Sequence, residues 1–163
     1  MELSAVIVSY NVCELLRGAL QSLMTAAQAT EHEIIVVDNN SSDGSAVMVS
    51  KEFPSVKLIV SENNEGFASA CNRGIQASSG EYVLMLNPDT VTSPDAITRA
   101  LDFMKKHPDA GAAGAHMTDG NGKFLPESKR GFPSPLTALF RFTGLCRLFP
   151  GSALFNAYYL GDK

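Results

Sequence analysis

Cysteine is scarce in this chain and badly placed for pairing. The 163 residues hold three, Cys13, Cys71 and Cys146. Their odd number, wide spacing and lack of any C-x-x-C argue against a disulfide framework or a thiolate zinc site. They read as buried thiols of a reducing compartment. Long apolar runs are missing as well: none approaches the roughly 18 residues that span a bilayer. The start, Met1-Glu2-Leu3-Ser4, has no basic n-region and shows no secretory signal. The expectation is a cytoplasmic protein. Positive charge is not in excess either. Lys and Arg number 13 against 17 Asp and Glu, a net charge of -4. That balance argues against a nucleic-acid binder, which shows a basic face.

Several chemical signatures are absent too. No G-x-G-x-x-G follows the first apolar run, and no G-x-x-x-x-G-K-[ST] occurs. Both absences disfavour a dinucleotide dehydrogenase and a P-loop kinase. There is no H-E-x-x-H, and His32, His107 and His116 are scattered and form no ligand set. No G-x-S-x-G nucleophile elbow is found.

What is present is core-forming material in a regular order. Hydrophobic residues make up 45% of the chain, enough for a sizeable core. Short apolar runs at Leu3–Ser9, Glu33–Asp38, Val56–Val60 and Tyr82–Leu86 predict strands; the first, rich in β-branched residues, reads as covered on both faces, and the second and fourth as buried. Between them, Leu15, Leu16, Ala19, Leu20, Leu23 and Met24 recur at helical spacing. A short helix is expected before Pro54, another over Phe67–Ala77, and a third after Ser93-Pro94-Asp95 with Ile97, Leu101 and Met104 inside. Ala110–His116 is a further strand candidate. Fourfold strand–helix alternation predicts an α/β fold, a mostly parallel sheet with helices on both faces. Right-handed crossovers place the strand C-termini on one edge, where such sheets bind ligands.

Each strand exit carries polar groups, and the topology brings them to that one rim. Ser9, Tyr10 and Asn11 follow the first strand. Asn11 can cap the next helix, and Tyr10 can be a core aromatic or a platform for a flat base. Asp38 and Asn40 follow the second strand; Asp38 can close a turn or accept a hydrogen bond from a base or ribose. Asn64, Gly66 and Phe67 follow the third strand, with Asn72 in the helix beyond. Asn87 and Asp89 follow the fourth. An acid leaving an apolar strand wants donors or a counter-charge, and a divalent cation shared with a diphosphate supplies one.

The segments VIVSYN (Val6–Asn11), VVDNNSSDGS (Val36–Ser45), NEGFASACNRGI (Asn64–Ile75) and YVLMLNPDT (Tyr82–Thr90) resemble the family 2 glycosyltransferases of the GT-A fold. The rhamnosyltransferase-like branch is nearest, and the resemblance covers roughly residues 1–135. It implies a Rossmann-like α/β/α domain that binds a nucleotide-diphosphate sugar, UDP- or dTDP-linked, at the strand C-termini. Ser9, Tyr10 and Asn11 match the segment lining the nucleoside pocket, and Asp38 the acid on base or ribose. Asn40 lies at the same edge. Asn64, Gly66, Phe67 and Asn72 match the loop and helix flanking the nucleotide. Asn87-Pro88-Asp89 matches the D-x-D position, making Asp89 the ligand of Mg²⁺ or Mn²⁺ and Asn87 a weaker contact. Family members of this kind invert the anomeric centre and transfer to a glycan or lipid-linked acceptor.

Two departures stand out. The first acid of D-x-D is Asn87 here. No Glu-Asp pair follows Asp89, Glu127 being the last glutamate, so the catalytic base is not found. The expectation is a donor-binding domain over residues 1–135 and, over 136–163, an apolar segment opening a further, acceptor-binding half. The apolar run Leu136–Phe155, with Arg130, Arg141 and Arg147 near it, suits a core helix pair, a homodimer face or a peripheral contact with anionic lipid at the inner membrane face. Rival functions are a sugar-phosphate nucleotidyltransferase and a non-catalytic binding module. The first needs a Gly- and Arg/Lys-rich loop where Tyr10-Asn11-Val12-Cys13 stands.

Overall fold

A computed structural model of the chain describes residues 1–125 and 131–159. Glu127 and Arg130 lie outside the described residues. The chain divides into two compact units, Met1–Pro108 and Asp109–Lys163.

The first unit alternates strand and helix throughout: β1 (Leu3–Ser9), α1 (Cys13–Ala26), β2 (His32–Asp38), α2 (Ser45–Glu52), β3 (Lys57–Val60), α3 (Phe67–Gln76), β4 (Tyr82–Leu86) and α4 (Ala96–Lys106). The strands form a parallel sheet in the order β3-β2-β1-β4. The predicted α/β class and parallel sheet are therefore observed. β1 is buried along its whole length, because both its neighbours are strands and both its faces are covered. Its odd residues Leu3, Ala5 and Ile7 join Leu16, Leu20 and Leu23 of α1, Met48 and Val49 of α2, and Ile97 and Leu101 of α4 in the larger core. Each fully buried Leu contributes about 1.5–3 kcal/mol. Val6 and Val8 point to the opposite face and pack with Ile35, Val37 and Ala70. The approach of α3 to that face is close enough to require glycine. A Cβ on Gly74 would stand 2.2 Å from Val6 Cγ1.

At their N-terminal ends the strands are fastened by one carboxylate. Glu33 accepts hydrogen bonds from Ser4 Oγ, Ser79 Oγ and the Ser79 amide, each at 2.7 Å. These bonds, the one from Ser4 foremost, hold its carboxyl below the usual glutamate range.

Three expectations need correction. β4 is not a buried strand. It is the sheet edge among the described residues, and Val83 and Met85 are each 41% exposed. The apolar composition of β4 is that of a two-sided strand, but α3 covers β1 and β2 and leaves these two side chains open. Ala110–His116 forms no strand. Its alanines and glycines bring little area to bury and lose the most backbone freedom on ordering. Finally, α4 begins at Ala96 with Asp95 in the cap position, so Ser93 does not cap it.

In the second unit, Asp119–Gly122 forms a tight turn, with Asp119 Oδ1 accepting from the Asn121 and Lys123 amides. The helix α5 (Pro135–Phe142) opens on a reciprocal capping box between Ser134 and Thr137. It is followed by α6 (Leu145–Leu148) and a 3₁₀ turn at Ala157–Tyr159. Phe155 packs edge-on against Phe140 at 5.1 Å, and Arg141 lies over the Tyr158 ring at 5.5 Å. No residue of α5 is fully buried, so Leu136–Phe155 is not a core helix pair within this unit. Among the described residues no helix is long and apolar enough to cross a membrane.

Candidate functional site

The sheet reverses direction at β1: β2 and β3 lie on one side and β4 on the other. At such a turn-back in strand order a crevice lies at the C-terminal edge of the sheet. That crevice is a pocket of about 420 Å³, lined by Val8, Tyr10, Val12, Leu15, Asn39, Asn64, Phe67, Asn87, Pro88 and Asp89. All belong to the first unit. The volume suits a small organic ligand. Of the residues singled out from the sequence, Tyr10, Asn64, Phe67, Asn87 and Asp89 meet here. Tyr10 and Phe67 are 49% and 63% exposed, two aromatic rings presented rather than buried. Asp89 is exposed and is the only charged residue in the lining among the described residues. It does not sit at the mouth of a deeply buried strand, because β4 is an edge.

Ser9 and Asp38 are in register on β1 and β2 and almost wholly buried, at 0% and 1% exposure. Each is followed in the chain by a lining residue, Tyr10 and Asn39. Asp38 Oδ2 accepts from the Ser41 amide at 2.9 Å, the turn closure expected of it. Asp38 Oδ1 and Ser9 Oγ have no hydrogen-bond partner. A buried carboxylate oxygen without a donor costs about 1–3 kcal/mol.

The remaining candidates stand elsewhere. Asn11 does not cap α1. Its φ is 54°, in the left-handed region, and its Oδ1 accepts from the Ser42 amide at 2.8 Å while its own amide donates to Ser41 Oγ at 3.0 Å. Asn40 is exposed with φ 66°. Gly66 has φ 82° and ψ 166° and immediately precedes Phe67. Asn72 is exposed on α3. None of Asn11, Asn40, Gly66 and Asn72 is among the lining residues.

Two residues escaped sequence reasoning. The cap of α1 comes from the next loop: Asp43 Oδ2 accepts from the Cys13 amide at 2.8 Å, and Oδ1 accepts from Ser45. Asp43 and Cys13 are 30 residues apart, so no local spacing announces the pair. Asn39 is the other. It is 3% exposed, and its Nδ2 donates to Asn64 Oδ1 at 2.7 Å. The duplicated asparagine in Val37-Asp38-Asn39-Asn40 was the available signal.

The Ser45 hydroxyl first, then the Cys13 and Ser45 amides, hold the Asp43 carboxyl below its ordinary range. The clasp is therefore fully formed above the unfolded aspartate pKa of about 3.9 and is lost as pH falls through the depressed folded value. Protection of the Cys13 amide, taken relative to its intrinsic exchange rate at each pH, is expected to fall only below about pH 4, and Asp43→Ala to cost about 0.5–2 kcal/mol at neutral pH. Amide exchange across a pH series and thermal melts check both.

The family model Glycosyl transferase family 2 matches residues 4–161. The poly-β-1,6-N-acetyl-D-glucosamine synthase of Staphylococcus epidermidis is 35% identical over 112 residues, 68% of this chain and 27% of that protein. The N-acetylglucosaminyl-diphospho-decaprenol L-rhamnosyltransferase of Mycobacterium tuberculosis is 32% identical over 139 residues, 78% of this chain and 45% of that protein. Among solved structures, S. aureus TarS 1–349 in complex with UDP-GlcNAc aligns with TM-score 0.64 and 26% identity over 84% of this chain and 38% of that one. The chain thus spans less than half the length of the relatives it matches. With the parallel sheet, the crevice at the strand reversal and the match over residues 4–161 in agreement, the chain belongs to glycosyl transferase family 2.

Proposed function

We propose that this chain is the donor-binding part of an inverting glycosyltransferase, which holds a nucleotide-diphosphate sugar, UDP- or dTDP-linked, in the crevice between β1 and β4. The observation that carries it is the meeting of Tyr10, Asn64, Phe67, Asn87 and Asp89 in one pocket beside two buried oxygens, Ser9 Oγ and Asp38 Oδ1, that lack partners. Tyr10 and Phe67 offer flat faces to a base. Asp38 Oδ1 accepts from a base N–H or a ribose hydroxyl, and Ser9 Oγ can donate or accept.

Among the described residues the lining contains no Lys or Arg, so none of them neutralises a diphosphate, and Asp89 repels one. A divalent cation resolves both problems. Among the described residues no three His, Cys, Asp or Glu side chains are grouped to hold a metal. A single carboxylate with an adjacent amide oxygen does fit Mg²⁺ or Mn²⁺ that arrives with phosphate oxygens and water as its other ligands. Asp89 and Asn87 would hold it. Bound there, it supplies charge stabilisation to the departing nucleoside diphosphate.

The base that deprotonates the acceptor belongs to a further part of the enzyme. The acceptor is a glycan or a lipid-linked sugar; the decaprenol-linked rhamnosyltransferase and the polysaccharide synthase among the relatives support that class. Residues 131–159 include Arg141 and Arg147 and no acid, with Phe132, Phe142 and Leu148 largely exposed. That composition suits contact with an anionic membrane surface.

Calorimetric titration with UDP, dTDP and GDP, with and without Mn²⁺, tests the assignment. The expected result is binding of UDP or dTDP that requires the metal. Binding of none of the three, or tight binding indifferent to Mn²⁺, overturns it.

A further inference from the structure

The wall of the pocket formed by Asn64–Phe67 is held by side chains. No main-chain carbonyl accepts from the amides of Glu65 or Gly66; Asn39 Oδ1 accepts from Glu65 at 3.1 Å and Asn64 Oδ1 from Gly66 at 3.0 Å. Asn64 Oδ1 is in turn fixed by the bond from Asn39 Nδ2. Asn39 itself is rigidly planted, since its amide donates to Ser9 O at 2.8 Å and its side chain is buried. Both ends of one buried carboxamide thus control two successive residues ahead of Phe67. The polarity of the pair is forced. Glu65 N–H can only donate, so Asn39 must present oxygen to it and NH₂ to Asn64.

We propose that Asn39 is the positioning residue of the pocket: through Asn64 and the Glu65 amide it sets the conformation of the Asn64–Phe67 wall and thereby the affinity for the nucleotide. This role rests on the nucleotide site proposed above. It makes the pair asymmetric. Aspartate at position 64 keeps an acceptor for both Asn39 Nδ2 and the Gly66 amide. Aspartate at position 39 keeps an acceptor for the Glu65 amide but sets oxygen against Asn64 Oδ1, and so frees the Asn64–Gly66 part of the wall.

The test compares wild type, Asn39→Ala, Asn39→Asp and Asn64→Asp in two measurements: amide hydrogen exchange at Glu65 and Gly66 without nucleotide, and titration with UDP and Mn²⁺. Asn39→Ala is expected to raise exchange at both amides and Asn39→Asp at Gly66, each leaving α3 protected and weakening UDP binding by about tenfold, the equivalent of one lost hydrogen bond. Asn64→Asp is expected to keep both amides slow. The inference is overturned if Asn39→Ala binds UDP as tightly as wild type. It is equally overturned if exchange rises through α3 and the sheet alike, as a general loss of packing requires, or if Asn64→Asp frees the wall as Asn39→Asp does. A wild type that binds no nucleotide defeats the donor site itself, and this role with it; a wild type that binds while Asn39→Ala binds equally defeats this role alone.

Discussion

Asp89→Ala is expected to abolish the metal-dependent part of nucleotide binding while leaving the fold intact. Asp89 is exposed, and its carboxylate makes no hydrogen bond or ion pair among the described residues, so its removal should shift stability by no more than about 0.5 kcal/mol. Its loss matters only to a ligand. A charge-assisted contact is worth about 1.5–3 kcal/mol, or roughly tenfold to one-hundredfold in affinity. Titration with UDP in the presence of Mn²⁺ should show that loss. Without metal the sign should reverse, because removing the one acid in the lining relieves repulsion of the diphosphate. Asp89→Asn separates charge from geometry: it keeps an oxygen at the same place but should lose the metal response nearly as fully. Equal Mn²⁺ dependence in wild type and Asp89→Ala would remove Asp89 from the cation site.

Gly66→Ala is expected to damage the pocket without any steric collision. Nothing lies within 4 Å of where its Cβ would stand. The damage is conformational, for φ 82° with ψ 166° is a region that only glycine occupies comfortably. The cost is about 1–3 kcal/mol. The Glu65–Phe67 segment has a cheaper course than unfolding, which is to rotate out of this conformation. Phe67 then leaves the pocket wall and nucleotide affinity falls further than the melting temperature suggests. Gly111→Ala, also in open space but without a positive φ, is the control and should leave both unchanged. Thermal melts and UDP titration on the two variants read the difference.

The sheet was legible because its strands are short, apolar and separated by helices with apolar residues at helical spacing. The ends of β1 and β4 match their apolar runs residue for residue, and β2 and β3 differ at their starts by one residue. The burial of β4 was not legible, since composition cannot tell a central strand from an edge whose cover lies elsewhere. The convergence of Tyr10, Asn64, Phe67, Asn87 and Asp89 followed from topology alone, because parallel strands deliver their C-termini to one rim. The ties among those loops did not. Asp43 to Cys13, Asn11 to Ser42 and Asn39 to Asn64 join residues 25 to 31 positions apart. Such bonds depend on loop conformations, including the left-handed Asn11 and Asn40, that no spacing rule encodes. Asn72 shows the converse: it shares its segment with Phe67 yet points to solvent, because the residues of α3 face different ways.

β4 is hydrogen-bonded to β1 along one flank, while its other flank carries unpaired main-chain groups among the described residues. Asp89 therefore hangs from an edge rail of the sheet, three residues past its end. Any polypeptide that zips onto that flank steadies the acid as well as shielding Val83 and Met85. Grip on the cation becomes adjustable from outside the crevice, by whatever lies alongside.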